Sequence, residues 1–436
     1  MVENHKGKVK LNFWELWNMS FGFLGIQVGW GLQMGNMSVI YEYLGAEAHE
    51  LPLLWLAAPL TGLIVQPLVG FFSDITWSKR FGRRKPYFLV GAILASSALF
   101  VMPYSTNLWM AAGLLWILDA SINISMEPTR AFVADILPKE QYTEGYAMQS
   151  FFIGLGAVLA SLIPLFLTSA SVVHLPKVDP GGGIPQFVKL SFAIGSVSLL
   201  AAVLVPVFST KEFPPEVVER KKSESFSSFL KSYFGAFKNI PSSFLKLAPT
   251  QFFTWIGLFL MWFYLTPAIA TNIFKGTPGD ISYNEGVVWG NICIGFYSFV
   301  TFLCALVLPK IETKIGKIDL HFWCLIIGGL GLISILGITN KWLLFLSMAG
   351  VGIAWTSIVA TPYSIIAKDI PPKQMGLFMG LFNFFIVIPE ILATLFFGKI
   401  MNSVLQNNRL YAIALGGAML IVGALLLKLF FHKKEA

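Results

Sequence analysis

"EPTRAFVADILPKEQ", residues 127–141, and "TPYSIIAKDIPPKQ", residues 361–374, are two versions of one segment. Pro128 pairs with Pro362, Asp135 with Asp369, Pro138 with Pro372 and Lys139 with Lys373, each pair separated by 234 residues. At the same offset Gly82-Arg83 in "RFGRRKP" meets Gly316-Lys317 in "KIGKID". A constant offset across two separate loops marks an internal duplication. Between the duplicated loops the chain is apolar, in runs of about 20 residues that suffice to cross a roughly 30 Å hydrocarbon core.

The bulk numbers agree with that reading. Of 436 residues 56% are hydrophobic and only 12% charged, and the mean hydropathy is +0.70, which no soluble globular domain shows. Spans are expected near 16–44, 51–72, 87–104, 108–136, 145–169, 187–208, 247–273, 285–308, 320–339, 342–367, 375–400 and 410–431. Runs such as "GAILASSALFVM" are apolar on every side, whereas barrel strands alternate. The expected fold class is therefore an all-α membrane protein of 12 transmembrane helices. Parallel repeats of this kind form two six-helix bundles with the substrate site between them near the midplane.

The polar stretch "STKEFPPEVVERKKSESFSSFLKSYFGAFKNIPSSFLK" separates the repeats. It predicts an N-terminal bundle over 1–208, a linker over 209–246 with an amphipathic surface helix near 225–240, and a C-terminal bundle over 247–436. The net charge of +8 is unevenly placed. With the N-terminus inside, 25 of the 31 Lys and Arg fall on the inner side, leaving Lys177, Lys189, Lys275, Lys341, Lys399 and Arg409 outside. The positive-inside rule thus puts both termini in the cytoplasm, and no nucleic-acid partner is needed to explain the basicity. Cys293, Cys304 and Cys324 lie in apolar spans without metal or redox spacing. No phosphate-cradling loop, nucleophilic triad or metal cluster is present, so an enzyme has no support.

The polar residues at membrane depth carry the functional reading. In "LLWILDASINISMEPTRAFVADILP", residues 114–138, Asp119, Asn123, Met126 and Arg130 fall within about 60° on a helix. That stripe cannot face lipid, where a central charge costs at least about 3 kcal/mol. It must face the cavity between the bundles. Glu127 and Arg130, three residues apart, are expected to pair, either as a structural clamp or as part of the site. Asp119 is about 16 Å from Arg130 along the helix and has no in-helix partner. An unpaired carboxylate in a partly dry cavity suits proton coupling; the competing reading is a permanently ionised Asp119 satisfied from another helix. The second repeat has Ile353 at the equivalent position, so the fold itself does not require an acid there. None of the five histidines lies deep in a span, which argues against a histidine relay.

A sugar needs bidentate amides and carboxylates for its hydroxyls and aromatic rings for its C–H faces. Gln27, Trp30, Gln33 and Asn36 in the glycine-rich first span, with Gln66, Asn123, Gln149, Asn383 and Glu390, are the candidates. Each has the alternative role of a helix–helix hydrogen bond worth about 1 kcal/mol. Trp255, Trp262, Trp289 and Trp355 read as packing or interface residues. Asp74, Arg83 and Arg84 can pair at the inner face, as a gate between the helices or as a topology signal.

"WLAAPLTGLIVQPLVGFFSD" followed by "RFGRRKP", then "WILDASIN" and "EPTRAFVADILP", and "GLFMGLFNFFIVIPE" near the C-terminus resemble the sucrose/proton symporters of plants and their animal and bacterial relatives. These belong to the major facilitator superfamily, beside the glycoside-pentoside-hexuronide cation symporters. The resemblance implies uptake of a disaccharide such as maltose or sucrose driven by the proton gradient, with Asp119 of "WILD" as protonation site. Two positions depart from it: Glu390 stands where relatives often carry an amide, and "QYTEGYAMQSFF" has no Arg near Thr143.

Melibiose-type relatives of that group place additional acids in the second span, and here that span has none, so a proton is preferred to sodium. No cofactor is expected beyond the coupling proton. The expected partners are a small-molecule sugar and the lipid bilayer, the expected state is a monomer, and the expected location is a plasma membrane, namely a bacterial inner membrane. The alternatives are a sodium-coupled sugar symporter, a proton-antiporting exporter of amphipathic compounds, and a non-transporting sensor.

Overall fold

A computed structural model describes residues 10–78, 81–169, 172–173, 175–176, 183–212, 235, 238, 240–370 and 375–431. Most of the linker, with its expected amphipathic segment, lies outside these residues. A chain in hydrocarbon must satisfy its backbone groups within each segment, and helices do so. Among the described residues, eleven helices are long and apolar enough to cross a membrane. A twelfth of spanning length, α1 (Gly22–Tyr43), is rich in glycine and carries Gln27, Gln33 and Asn36; the short helix Phe13–Ser20 precedes it.

The N-terminal bundle continues with α2 (Ala57–Ile75), α3 (Lys85–Val101), α4 (Leu108–Ile136), α5 (Tyr142–Thr168) and α6 (Gln186–Ser209). The C-terminal bundle consists of α7 (Ser242–Ala268), α8 (Ile281–Ile315), α9 (Lys317–Ser334), α10 (Leu344–Ile358), α11 (Phe384–Ser403) and α12 (Arg409–Phe431). Two of these are extended by short helices: Thr361–Ile366 after α10 and Met375–Phe382 before α11. The tenth span, expected as one helix over 342–367, is thus broken at Val359–Ala360, whereas its repeat partner α4 runs unbroken through Pro128. In the tenth span Thr361–Pro362 opens a new helix, so the proline occupies a first turn that has no need of its N–H.

The duplication is legible in the packing. In the first half α1 packs on α5 and α6, α2 on α4, and α3 on α4 and α6; the same pairs, each moved on by six helices, pack in the second half. Across the molecule α5 meets α8 and α2 meets α11, while α1 meets α7. Gly82 and Gly316, which share the 234-residue offset, adopt φ of +77° and +83° and so turn their loops alike. Where helices approach closest, small residues allow it: a Cβ on Gly91 of α3 would stand 2.6 Å from the Ser125 backbone nitrogen of α4.

The hydrogen bonds that join the two bundles lie toward the face opposite the termini. Asn36 and Asn291 exchange side-chain amide bonds at 3.0 and 3.1 Å between α1 and α8. Above them Glu42 accepts from Tyr283 at 2.6 Å and pairs with Arg409 at 2.7 Å, with its own side chain only 1% exposed. Tyr43 bonds Asn284 alongside, and the Tyr264 hydroxyl donates to the Ala48 carbonyl at 2.9 Å. With these contacts made, that face is closed.

Candidate functional site

Asp119 sits midway along α4, whose start is set by the Asn107 side chain accepting from Met110 N–H. It is buried, and among the described residues its side chain makes one hydrogen bond, accepting from Gln33 Nε2 of α1 at 2.8 Å. No ion pair reaches it among the described residues. One turn on, Asn123 donates to Thr61 Oγ1 at 3.3 Å and accepts from Gln66 Nε2 at 2.7 Å, both residues being on α2. The Asp119 and Asn123 end of the expected stripe is met by amides from α1 and α2 of its own bundle, whereas Arg130 at the other end is exposed. Gln33, Gln66, Asn123 and Asp119 form one continuous polar patch of the N-terminal bundle.

Two turns nearer the inner face, Glu127, Arg130, Tyr146, Gln149 and Ser150 line a cavity of about 390 Å³ with Phe23 of α1. Gln149, which also lines the cavity, donates to the Thr129 carbonyl at 3.1 Å. The expected pair between Glu127 and Arg130 is not formed: no ion pair joins them among the described residues. Adjacent positions on a helix contribute only about 0.2–0.5 kcal/mol to such a pair. Solvation of the two charges in an open cavity outweighs that. Neither is in an ion pair among the described residues, and Tyr363 of the C-terminal bundle lies within electrostatic reach of Arg130 and of Glu390.

The remaining candidates separate by location. Asn36 is fully buried in the seam with Asn291, with its amide committed there. Gln27 and Trp30 are half-buried on α1, Asn383 stands at the break before α11, and Glu390 is buried one and a half turns into α11. Trp255, Trp262 and Trp355 pack on one another, with centroids 5.4–6.4 Å apart. His321, near the start of α9 and so shallow in its span as expected, is nonetheless fully buried by packing, with Ser357 at 2.7 Å.

At the inner face Asp74 pairs with Arg83 and Arg84, each at 2.6 Å, and Arg84 also reaches Asp135 at 2.7 Å. Burial works against the Arg84 charge, but the hydrogen bond and field of Asp135 and the field of Asp74 outweigh it and hold its pKa above the ordinary value. The Glu212 carboxylate, just past α6, accepts from the backbone N–H groups of Arg83, Arg84 and Lys85 and so caps the positive end of α3. Position 308, the repeat counterpart of Asp74, is a leucine, and Lys317, the counterpart of Arg83, pairs instead with Glu312 at 3.8 Å. The residues that sequence reasoning passed over are Thr61, Tyr146 and the seam groups Glu42, Tyr283, Asn291 and Arg409. Asn291 carried a signal, as an amide deep in an apolar span; Glu42 and Arg409 looked like ordinary span ends.

Two packed bundles, a buried polar patch in the first of them and a closed face opposite an open cavity fit a membrane transporter. The chain belongs to the Major Facilitator Superfamily, which it matches over residues 19–394. It is similar to the sucrose transport protein SUC4 of Arabidopsis thaliana, at 25% identity over 92% of this chain and 86% of that one. The general alpha-glucoside permease of Schizosaccharomyces pombe is 24% identical over 60% of this chain and 49% of its own length. Among solved structures, the nucleoside transporter NupG superposes with a TM-score of 0.72 at 14% identity, covering 97% of this chain and 100% of that one. A D-xylose-proton symporter does so with a TM-score of 0.67 at 13% identity, covering 95% and 97%.

Proposed function

We propose that this chain imports a disaccharide of the sucrose or maltose class together with a proton, by alternating access, as a monomer in the plasma membrane. The observation that carries the reading is Asp119: a carboxylate buried at membrane depth, without an ion pair among the described residues, beside amides suited to sugar hydroxyls. The sucrose and alpha-glucoside names of its relatives support the substrate class. Asp119 takes up the coupling proton beside Gln33; Asn123 and Gln66 offer the hydroxyl contacts, and Gln149, Arg130 and Glu127 line the exit toward the inner face. Asp74, Arg83 and Arg84 hold α2 against α3 and α4 and act as the inner gate.

The test is uptake of radiolabelled sucrose and maltose into proteoliposomes under an imposed pH gradient. The native protein accumulates sugar when the outside is acidic. Asp119→Asn is expected to lose accumulation while still exchanging labelled for unlabelled sugar across the membrane. Accumulation driven by a sodium gradient alone, or undiminished in Asp119→Asn, overturns the reading.

A further inference from the structure

The contact between Asp119 and Gln33 leaves two oxygens over. Gln33 gives an N–H to Asp119 Oδ1 at 2.8 Å, while Asp119 Oδ2 and Gln33 Oε1 are both buried without a hydrogen-bond partner. In the ionised form each is an acceptor only, so neither can satisfy the other. A buried acceptor left unpaired costs about 1–3 kcal/mol, and more when it is charged. A single proton answers for both atoms. Placed on Oδ2, it is donated to Oε1, and the acid and the amide close into a ring of two antiparallel hydrogen bonds.

We infer that Gln33 is the positioning residue of the coupling proton, holding it on Asp119 Oδ2 in a cyclic acid–amide pair. This rests on Asp119 as the proton site. The surroundings offer no rival partner. Asn123, one turn along α4, gives its N–H groups to Thr61 and to the Asp119 carbonyl; Gln66 of α2 is committed to Asn123. Tyr41 of α1 is near enough to feel the Asp119 charge, yet its hydroxyl donates to the Leu54 carbonyl at 3.2 Å. Among the described residues no Lys, Arg, His or Glu contacts Asp119. When the proton leaves, the ring opens and a single bond remains between α4 and α1, the helix that also carries Asn36 and Glu42 of the closed seam.

Acid-minus-alkaline infrared difference spectra of the reconstituted protein test this. The native protein is expected to show the carbonyl band of a hydrogen-bonded carboxylic acid, and Asp119→Asn to lack it. Gln33→Leu and the closer isostere Gln33→Met are each expected to keep the band but move it to higher frequency, as for an acid stripped of both partners; a native-like thermal unfolding midpoint in detergent marks a folded variant. A band that survives in Asp119→Asn removes Asp119 as the proton site. A band lost in Asp119→Asn but unmoved in both Gln33 variants overturns the role of Gln33 and leaves the proton site standing. A native band displaced by added sodium at constant pH shows a cation between the two oxygens and also overturns the cyclic pair.

Discussion

Asn123 is the residue that ties the amides of the polar patch together, since it bonds Gln66 and Thr61 of α2 and the Asp119 carbonyl of its own helix. Asn123→Ala is expected to weaken sugar binding about tenfold, the loss of one or two hydrogen bonds worth about 1 kcal/mol each. Half-saturation in exchange assays reads this, and proton coupling should persist because Asp119 is untouched. That Asp119 and Asn123 share a face followed from 100° steps along one helix. That Gln33 meets Asp119 did not, because the partners lie 86 residues apart and only the packing of α1 against α4 joins them. Glu42 and Arg409 are harder still: 367 residues separate them, and each alone looks like the polar end of a span. Helical arithmetic misled at Glu127 and Arg130, where adjacency was right but solvent, not a partner, decides the outcome.

At the scale of elements, small residues set how closely the helices of a bundle approach. A side chain at Gly91 would collide with α4 backbone, 2.6 Å from Ser125 N and 2.7 Å from Ser121 O, whereas a Cβ at Gly113 on α4 meets nothing within 4 Å. Gly91→Val is therefore expected to destabilise the protein by about 1–3 kcal/mol, as overpacked sites do. Gly113→Val should leave stability nearly unchanged. Thermal unfolding of the two variants in detergent distinguishes them. The number of helices and their repeat were readable from apolar run length and the 234-residue offset, because both are properties of the chain alone. The break of the tenth span at Val359–Ala360 was not, since Pro128 and Pro362 are the same residue at equivalent positions and only one interrupts its helix.

The whole molecule is closed on one face by a seam that one buried ion pair dominates. Removing one partner of such a pair costs about 3–5 kcal/mol, enough to shift a two-state equilibrium by well over tenfold. Glu42→Gln is therefore expected to favour the state open on that face. Spin labels at Glu47 and Ile281, both exposed beside the seam, should report a longer distance in the variant than in the native protein; an unchanged distance rules the seam out as a gate. Among the described residues no counter-charge stands beside Asp119, and this has an electrical consequence. With Asp119 as the proposed proton site, a carrier loaded with proton and sugar is neutral at this position and its Asp119 crosses between states without feeling the membrane potential. The empty carrier returns with a bare negative charge at mid-depth, and one elementary charge is worth about 2.3 kcal/mol per 100 mV across the full membrane. An inside-negative voltage repels that charge outward and so speeds the return. Turnover at saturating sugar should rise when a potassium diffusion potential, negative inside, is imposed on the proteoliposomes, and Asp119→Asn exchange should be indifferent to it.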